Sequence, residues 1–464
     1  MVKEQDNTQE RLSLSVAALI AVCAGYLIAP LGMAAVNVAI PSLANDLQAD
    51  AAKVGWLPTI YLLSNVAFML PVGKLADNFG RKRLYIAGLI LNALAALMCA
   101  LATHIDWILF WRFVQGAAGA MIFGTGIAIV TSIVPAHKRG SALGLVAACV
   151  YIGLTLAPAV GGYLTELLDW RAVFYFQVPL VLCLLIFIGV ALKGEWKNEK
   201  RVKYDYKGTV LFAAFSVLLV YGFSLLPSLL GLALTLLSFT SLGVFVLHQS
   251  KSKQPLIRVQ MFRESRVFSM SLATSFFMYG SNFAIVFLLS LYLQYIKGFT
   301  PAYAGKILLL QALAMAIMAP IAGRLSDRFQ PRVVATSGCA IVGFGFIIMN
   351  QINPDTSAIH VGIALLFIGT GFGLFSTPNN NAIMGAVSQN EVGVASASMN
   401  LSRTVGNLFG MSLVNLMIHY FIGDAAISDE QSEALMTTIS LALKMSLSFV
   451  VLACLLSSLR GLNR

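Results

Sequence analysis

Apolar runs of about twenty residues recur from one end of the chain to the other, broken only by short charged stretches. No other feature constrains the fold as tightly. A run of that length lets a helix cross the hydrocarbon core of a bilayer, and a helix in lipid satisfies all of its own backbone hydrogen bonds. The runs fall at residues 13–40, 52–72, 84–103, 107–133, 141–166, 172–192, 208–226, 229–248, 267–294, 302–323, 333–351, 359–385, 391–419 and 437–459. They predict an all-α integral membrane protein with fourteen transmembrane helices. Only 11% of the residues are charged and 58% are hydrophobic, against roughly 25% charged in soluble domains. The first run is too long for a signal-peptide core and lacks an obvious small-residue cleavage site, so it reads as a retained spanning helix.

The formal charge of +11 would suit nucleic acid, but its placement excludes that partner. Lys and Arg cluster in the short stretches between apolar runs, as in loops on the cytoplasmic side of a membrane. With both termini cytoplasmic, the exceptions among the 31 Lys and Arg are few. Lys53, Arg171, Lys297 and Lys306 fall near the outer side, and Arg112, Arg403 and Lys444 fall within runs. All 20 Asp and Glu lie in tails, loops or helix ends, none in the middle third of a run. The five histidines, His104, His137, His248, His360 and His419, also sit in loops or near run ends. The six cysteines lie inside apolar runs without a CxxC pair, so they read as packing residues rather than disulfide or zinc ligands. HExxH, GxSxG and Walker patterns are absent as well. No catalytic residue, metal ligand or cofactor is expected, and an enzyme or an ATP-driven pump is disfavoured.

The chain also repeats itself. Gly73-Lys-Leu-Ala-Asp77-Asn-Phe79-Gly80-Arg81 follows the second run, and Gly323-Arg-Leu-Ser-Asp327-Arg-Phe329-Gln330 follows the tenth, with the two Asp 250 positions apart. Each joins the second and third runs of a block of six. The chain therefore divides into a six-helix bundle (1–193), a loop and two-helix insert (194–265) and a second six-helix bundle (266–464). The two bundles are expected to be related by pseudo-two-fold symmetry. Parallel repeats of this kind mark transporters whose site lies between the halves near mid-membrane.

These segments carry a family resemblance. Residues 73–83 resemble the GxLaDrxGrkxxl signature of the major facilitator superfamily, and the chain as a whole resembles its fourteen-helix drug:proton antiporter (multidrug efflux) branch. The resemblance implies that Gly73, Asp77, Gly80 and Arg81, with Asp327 in the repeat, latch the outward-open state. Arg81, Lys82 and Arg83 would hold the loop at the anionic inner leaflet. The stretch Arg112-Phe-Val-Gln115-Gly116-Ala-Ala-Gly119 partly matches the family's RxxQGxG pattern, which implies a proton-transfer role for Arg112. The plainer reading is a structural Arg bonded to backbone carbonyls. Gly153, Pro158, Gly161 and Gly162 resemble the antiporter signature GxxxGPxxGG, with Ala157 in place of one Gly, and imply export. Close packing of small residues alone would also explain them. In the following WRxxF stretch Gln177 stands where the family usually has Asn.

One departure matters most. Where the branch's drug pumps read LDxTVVNVALP, this chain reads Leu31-Gly32-Met33-Ala34-Ala35-Val36-Asn37-Val38-Ala39-Ile40-Pro41. Gly32 replaces the membrane-embedded Asp that the resemblance assigns to proton or cation coupling, and no mid-membrane acid substitutes for it. A cavity that Arg112 and Arg403 both face would be positive and would favour anions. The cavity-lining candidates are Tyr26, Asn37, Tyr61, Asn65, Gln115, Tyr151, Tyr279, Asn282, Gln311, Asn379, Asn380, Arg403 and Asn407; any of them could equally bond helix to helix. The expected function is secondary active export of small amphipathic molecules, neutral or anionic, such as a drug, siderophore or metabolite. Alternating access with proton antiport is the expected mechanism; an uncoupled facilitator or importer is the alternative. The expected location is the bacterial cytoplasmic (inner) membrane. Lipid bilayer, substrate and protons are the expected partners, and no residue pattern specifies a periplasmic adaptor.

Overall fold

The computed structural model describes residues 2–48, 51–192, 194–197, 204–252, 255–299, 301–421 and 432–461. Among them are fourteen helices of 15 residues or more: α1 Val2–Asp46, α2 Ala51–Phe79, α3 Arg81–Ala100, α4 Ile105–Ile133, α5 Arg139–Leu167, α6 Gln177–Ala191, α7 Tyr206–Ser224, α8 Leu229–Lys251, α9 Arg266–Leu291, α10 Pro301–Arg328, α11 Pro331–Met349, α12 Ala358–Gly385, α13 Val392–Phe421 and α14 Ser432–Leu459. Twelve stretches of the described residues are helical, long and apolar enough to cross a membrane; α9 and α13 lie outside that set. In α13 the apolar surface is interrupted by Asn400, Arg403 and Asn407. The helices form because apolar side chains leave the backbone no other hydrogen-bond partner in lipid. Neighbouring helices therefore tolerate Pro58 and Pro71 inside α2, Pro320 inside α10 and Pro378 inside α12.

Packing within α1–α6 recurs within α9–α14. α1 packs on α5, and α9 packs on α13. α4 lies against both α2 and α3, and α12 lies against both α10 and α11. Small residues permit the tightest crossings. A Cβ on Gly153 would sit 2.6 Å from the Leu27 carbonyl and one on Gly161 2.6 Å from the Ala35 carbonyl, so α5 lies backbone-to-backbone against α1. Gly162 is half-buried on the same helix. Pro158 and Asn37 lie outside the residues whose side chains are described.

The pair α7–α8 stands apart from both sets. Phe212, Phe215, Leu219 and Phe223 of α7 are buried with Met69, Leu70 and Val72 of α2 and with Val394 and Ala397 of α13. Trp56 meets Tyr221, and Phe223 meets Phe409. α7 thus covers the line along which α2 meets α13. Outward-facing Leu229, Leu232, Leu236, Leu237 and Phe239 make α8 an apolar outer surface. Asp205 fastens the hairpin at its base. Its carboxylate caps α7 through the Gly208 N–H (2.8 Å) and accepts from His248 and Gln249 at the end of α8.

Candidate functional site

Two carboxylates bolt the helix sets together at one end of the molecule. Asp77, buried at the end of α2, accepts from the Gly393 and Val394 N–H groups (3.1 and 3.3 Å) at the start of α13. Arg81 donates to the same carboxylate (2.9 Å), to the Gln389 carbonyl (2.8 Å) and to the Ser132 hydroxyl. Asp327, at the end of α10, accepts from the Gly140 and Ser141 N–H groups (2.7 and 2.8 Å) at the start of α5 and from the Ser141 hydroxyl. Each acid thus fills an anion site made by unpaired N–H groups and the positive end of a helix. Glycine sets the approach. A Cβ on Gly73 would lie 2.7 Å from the Ala397 Cβ, and Gly323 crosses against Gly140 and Ser141. This latch face is closed. Arg81 is buried in the lock, contrary to the expectation that it reaches the lipid leaflet; the Asp77 carboxylate holds it inward. Gly80, at φ +120°, turns the chain into α3, where the Glu195 carboxylate accepts from the Lys82 and Arg83 N–H groups.

Arg112 lies within one helix set, apart from Arg403. It is buried between α2 and α4, donates to Gln115 (2.8 Å) and the Leu57 carbonyl (3.4 Å), and lies over the Tyr61 ring. Gln115 donates onward to Gln177 (3.2 Å). Asn65 donates to the Gly116 carbonyl. Tyr61, Asn65, Gln115 and Arg112 therefore join helices of one set. Sequence periodicity gave the depth of these residues without the direction they face. A Cβ at Gly32 would fall on the Gln177 side-chain amide. The two departures in the sequence are one fact: Gln177 fills the space that an acid at position 32 would need.

Between the two sets, Tyr26 of α1, Val146, Ala147 and Tyr151 of α5, Ser376 and Asn380 of α12 and Arg403 of α13 line a central pocket of about 10 Å³. That is close to the least space that holds one water, so the pocket is shut around its polar groups. The Arg403 guanidinium stacks on the Tyr279 ring, 4.7 Å from its centroid, and Tyr279 shares a hydrogen bond with Ser376. The Tyr26 hydroxyl donates to the Phe123 carbonyl (2.7 Å). The Tyr151 hydroxyl is buried beside Ser376 and Tyr279. Among the described residues no carboxylate pairs with Arg403. A buried cation without a counter-charge is costly, and this one faces the pocket where the helix sets meet.

The model of the Major Facilitator Superfamily matches residues 22–411. The chain belongs to the Major Facilitator Superfamily. Its relatives include the riboflavin transporter RibZ of Clostridioides difficile (strain 630), 28% identical over 410 residues, 87% of this chain and 89% of that protein. The multidrug resistance protein Stp of Mycobacterium tuberculosis is also 28% identical, across 82% of this chain and 72% of its own. The superfamily's proton:xylose symporter XylE, solved with 6-bromo-6-deoxy-D-glucose, superposes with a TM-score of 0.69 at 13% identity, over 96% of this chain and 95% of that one. The chain is thus a multi-pass membrane transporter of the superfamily, and not an enzyme.

In superfamily terms the remaining candidates fall outside the pocket. Gln311 of α10 donates to Asn282 of α9 (2.6 Å). Asn407 is half-buried on α13, about one turn beyond Arg403. Asn379 turns away from Asn380: it donates to the Ser271 carbonyl and the Ser275 hydroxyl and accepts from Arg460. No motif spacing marks Glu195, Ser376 or Arg460. Glu195 and Arg460 each stand just past the last helix of a set, and that shared position was the available signal.

Proposed function

We propose that the protein exports small amphipathic molecules, neutral or anionic, by alternating access with proton antiport. The observation that carries the substrate class is Arg403, a buried cation facing the central pocket with tyrosines around it and no carboxylate partner among the described residues. A substrate carboxylate supplies the missing charge, and the rings of Tyr26, Tyr151 and Tyr279 supply apolar faces for its body. The multidrug and riboflavin transport named for the relatives is compatible with such an organic cargo. On this reading all fourteen long helices span, α1–α6 and α9–α14 are the two halves, and α7–α8 is an insert. The repeated packing and the repeated Asp77 and Asp327 locks support it. The concentration of Lys and Arg on the latch face supports a cytoplasmic orientation for that face and for both termini in a bacterial inner membrane. The closed latches then shut the cytoplasmic face.

The test uses everted vesicles loaded with the transporter, with a carboxylated dye and a lipophilic cationic dye offered in parallel. Acid inside the vesicles is expected to drive uptake of the carboxylated dye. Arg403→Ala is expected to cut that uptake at least tenfold, since a lost charge-assisted bond costs about 1.5–3 kcal/mol. Strong cationic uptake indifferent to Arg403→Ala would overturn the substrate class. The placement of Gln177 against Gly32 favours one second reading, a facilitator without proton coupling, because it removes the coupling acid's space. Equilibration of the dye regardless of the pH gradient would establish that reading instead.

A further inference from the structure

A pair of arginines lies on the latch face, away from the central pocket. Arg460, immediately after α14, is 1% exposed. Its Nη1 donates to the Asn379 side-chain carbonyl (2.7 Å) and the Ser271 hydroxyl (3.1 Å). Its Nη2 is buried with no partner. Beside it is a cavity of about 130 Å³ lined by Val267, Gln330, Pro331, Arg332, Ala382 and Arg460. One water needs about 10–15 Å³ of such space, so the cavity has room for a larger group. Gln330 and Pro331 begin α11; Pro331 has no N–H, the Val333 and Val334 N–H groups turn back to the Gln330 carbonyl (2.9 and 3.4 Å), and the Arg332 N–H is left at the helix start with no side-chain cap. Arg332 makes no ion pair with a described carboxylate. Two guanidinium groups, one with an unused buried donor, thus converge with the Arg332 N–H on one cavity.

The equivalent place in the other helix set shows what such a space takes. There the start of α3 meets the Glu195 carboxylate, which accepts from the Lys82 and Arg83 N–H groups and lies 3.7 Å from the Arg83 guanidinium. Glu195 follows α6 as Arg460 follows α14, and Lys82 and Arg332 occupy the same place in the repeated motif. In one set the chain supplies the anion; in the other the residue after the last helix is a second cation.

We propose that Arg332, Arg460 and the α11 N-terminus bind a phosphate group. Guanidinium forks and helix N-termini both match phosphate oxygens. The cavity opens on the face where lipid headgroups and soluble phosphates are both within reach, and either source presents the same chemistry. Occupation satisfies the free Nη2 of Arg460. Through Asn379 it also braces the stretch of α12 whose next residue, Asn380, lines the central pocket.

The test measures melting of the purified full-length protein in detergent against three additives: dioleoylphosphatidylglycerol, dioleoylglycerol with the same chains and no phosphate, and inorganic phosphate. A saturable rise with the phospholipid alone assigns a headgroup, and a rise with inorganic phosphate alone or as well assigns a phosphate that needs no lipid. Arg332→Gln is expected to weaken the response at least tenfold. Arg263→Gln, which removes an exposed cation elsewhere on this face, is expected to leave it unchanged. Arg332 is half-exposed and supports no described contact, so its variant folds even where Arg460→Gln does not. The proposal falls if neither phosphate additive exceeds dioleoylglycerol, or if the two arginine variants respond alike.

Discussion

Gly32 and Gln177 show how a local departure is absorbed. The carboxamide of Gln177 accepts from Gln115, holds the Val173 carbonyl (3.0 Å) and occupies the room beside Gly32. A side chain at position 32 therefore meets filled space, and overpacking of this kind costs about 1–3 kcal/mol. Gly32→Asp alone is expected to lower the melting temperature. Gly32→Asp with Gln177→Ala is expected to recover most of it, because the shorter side chain vacates the site. A single variant as stable as the parent would show that Gln177 does not hold this position in solution. The restored acid would face the Gln115–Arg112 chain rather than the central pocket, so the double variant is expected to leave the preference for carboxylated dye intact.

At the scale of elements, the α7–α8 hairpin depends on one acid. Asp205 is partly desolvated, which raises its pKa, but the Gly208 N–H, His248 and Gln249 outweigh that and hold its carboxyl below the usual carboxylate range. A depressed carboxyl stabilises the fold above its unfolded pKa and loses that contribution as pH falls through the folded value. The hairpin is thus expected to loosen on acidification below about pH 4, the ordinary Asp range. Asp205→Ala removes a helix cap and is expected to cost about 0.5–2 kcal/mol, seen as a lower melting temperature at neutral pH. The difference between variant and parent should shrink at acid pH; an equal difference at both would mean that the charge contributes nothing. The latches are a second element-level device. Asp77→Asn with Asp327→Asn weakens both helix-end locks at once. It is expected to raise labelling of Ala147→Cys by an impermeant maleimide from the latch side at least tenfold, in a background without the native cysteines. Unchanged labelling would mean that the apolar crossings alone keep that face shut.

For the molecule as a whole, much of the fold was legible because lipid leaves a sequence few choices. Each long apolar run became a helix, and the repeated Gly-x-x-x-Asp segments fell at matching ends of α2 and α10. The site was less legible. Arg112 and Arg403 look alike in a sequence, each an arginine within an apolar run, yet one bonds to Gln115 and the other faces the pocket. Depth follows from position along a run, whereas direction depends on which helices surround it. Glu195 and Arg460 lie beyond run ends, where no periodicity operates, and only the tertiary arrangement brings them to the starts of α3 and α11.

The line where the two helix sets meet has two flanks, and they are finished differently. Along α2 and α13 the aromatic side of α7 stands between the joint and the surrounding lipid. Along α5 and α10 nothing comparable intervenes among the described residues, and Leu145, Ile152, Leu313 and Ile317 lie bare. One flank of the joint thus meets lipid through the aromatic cover of α7, and the other meets it directly, sealed by its own glycine crossings, where a Cβ on Gly144 would sit 2.5 Å from the Ala319 carbonyl.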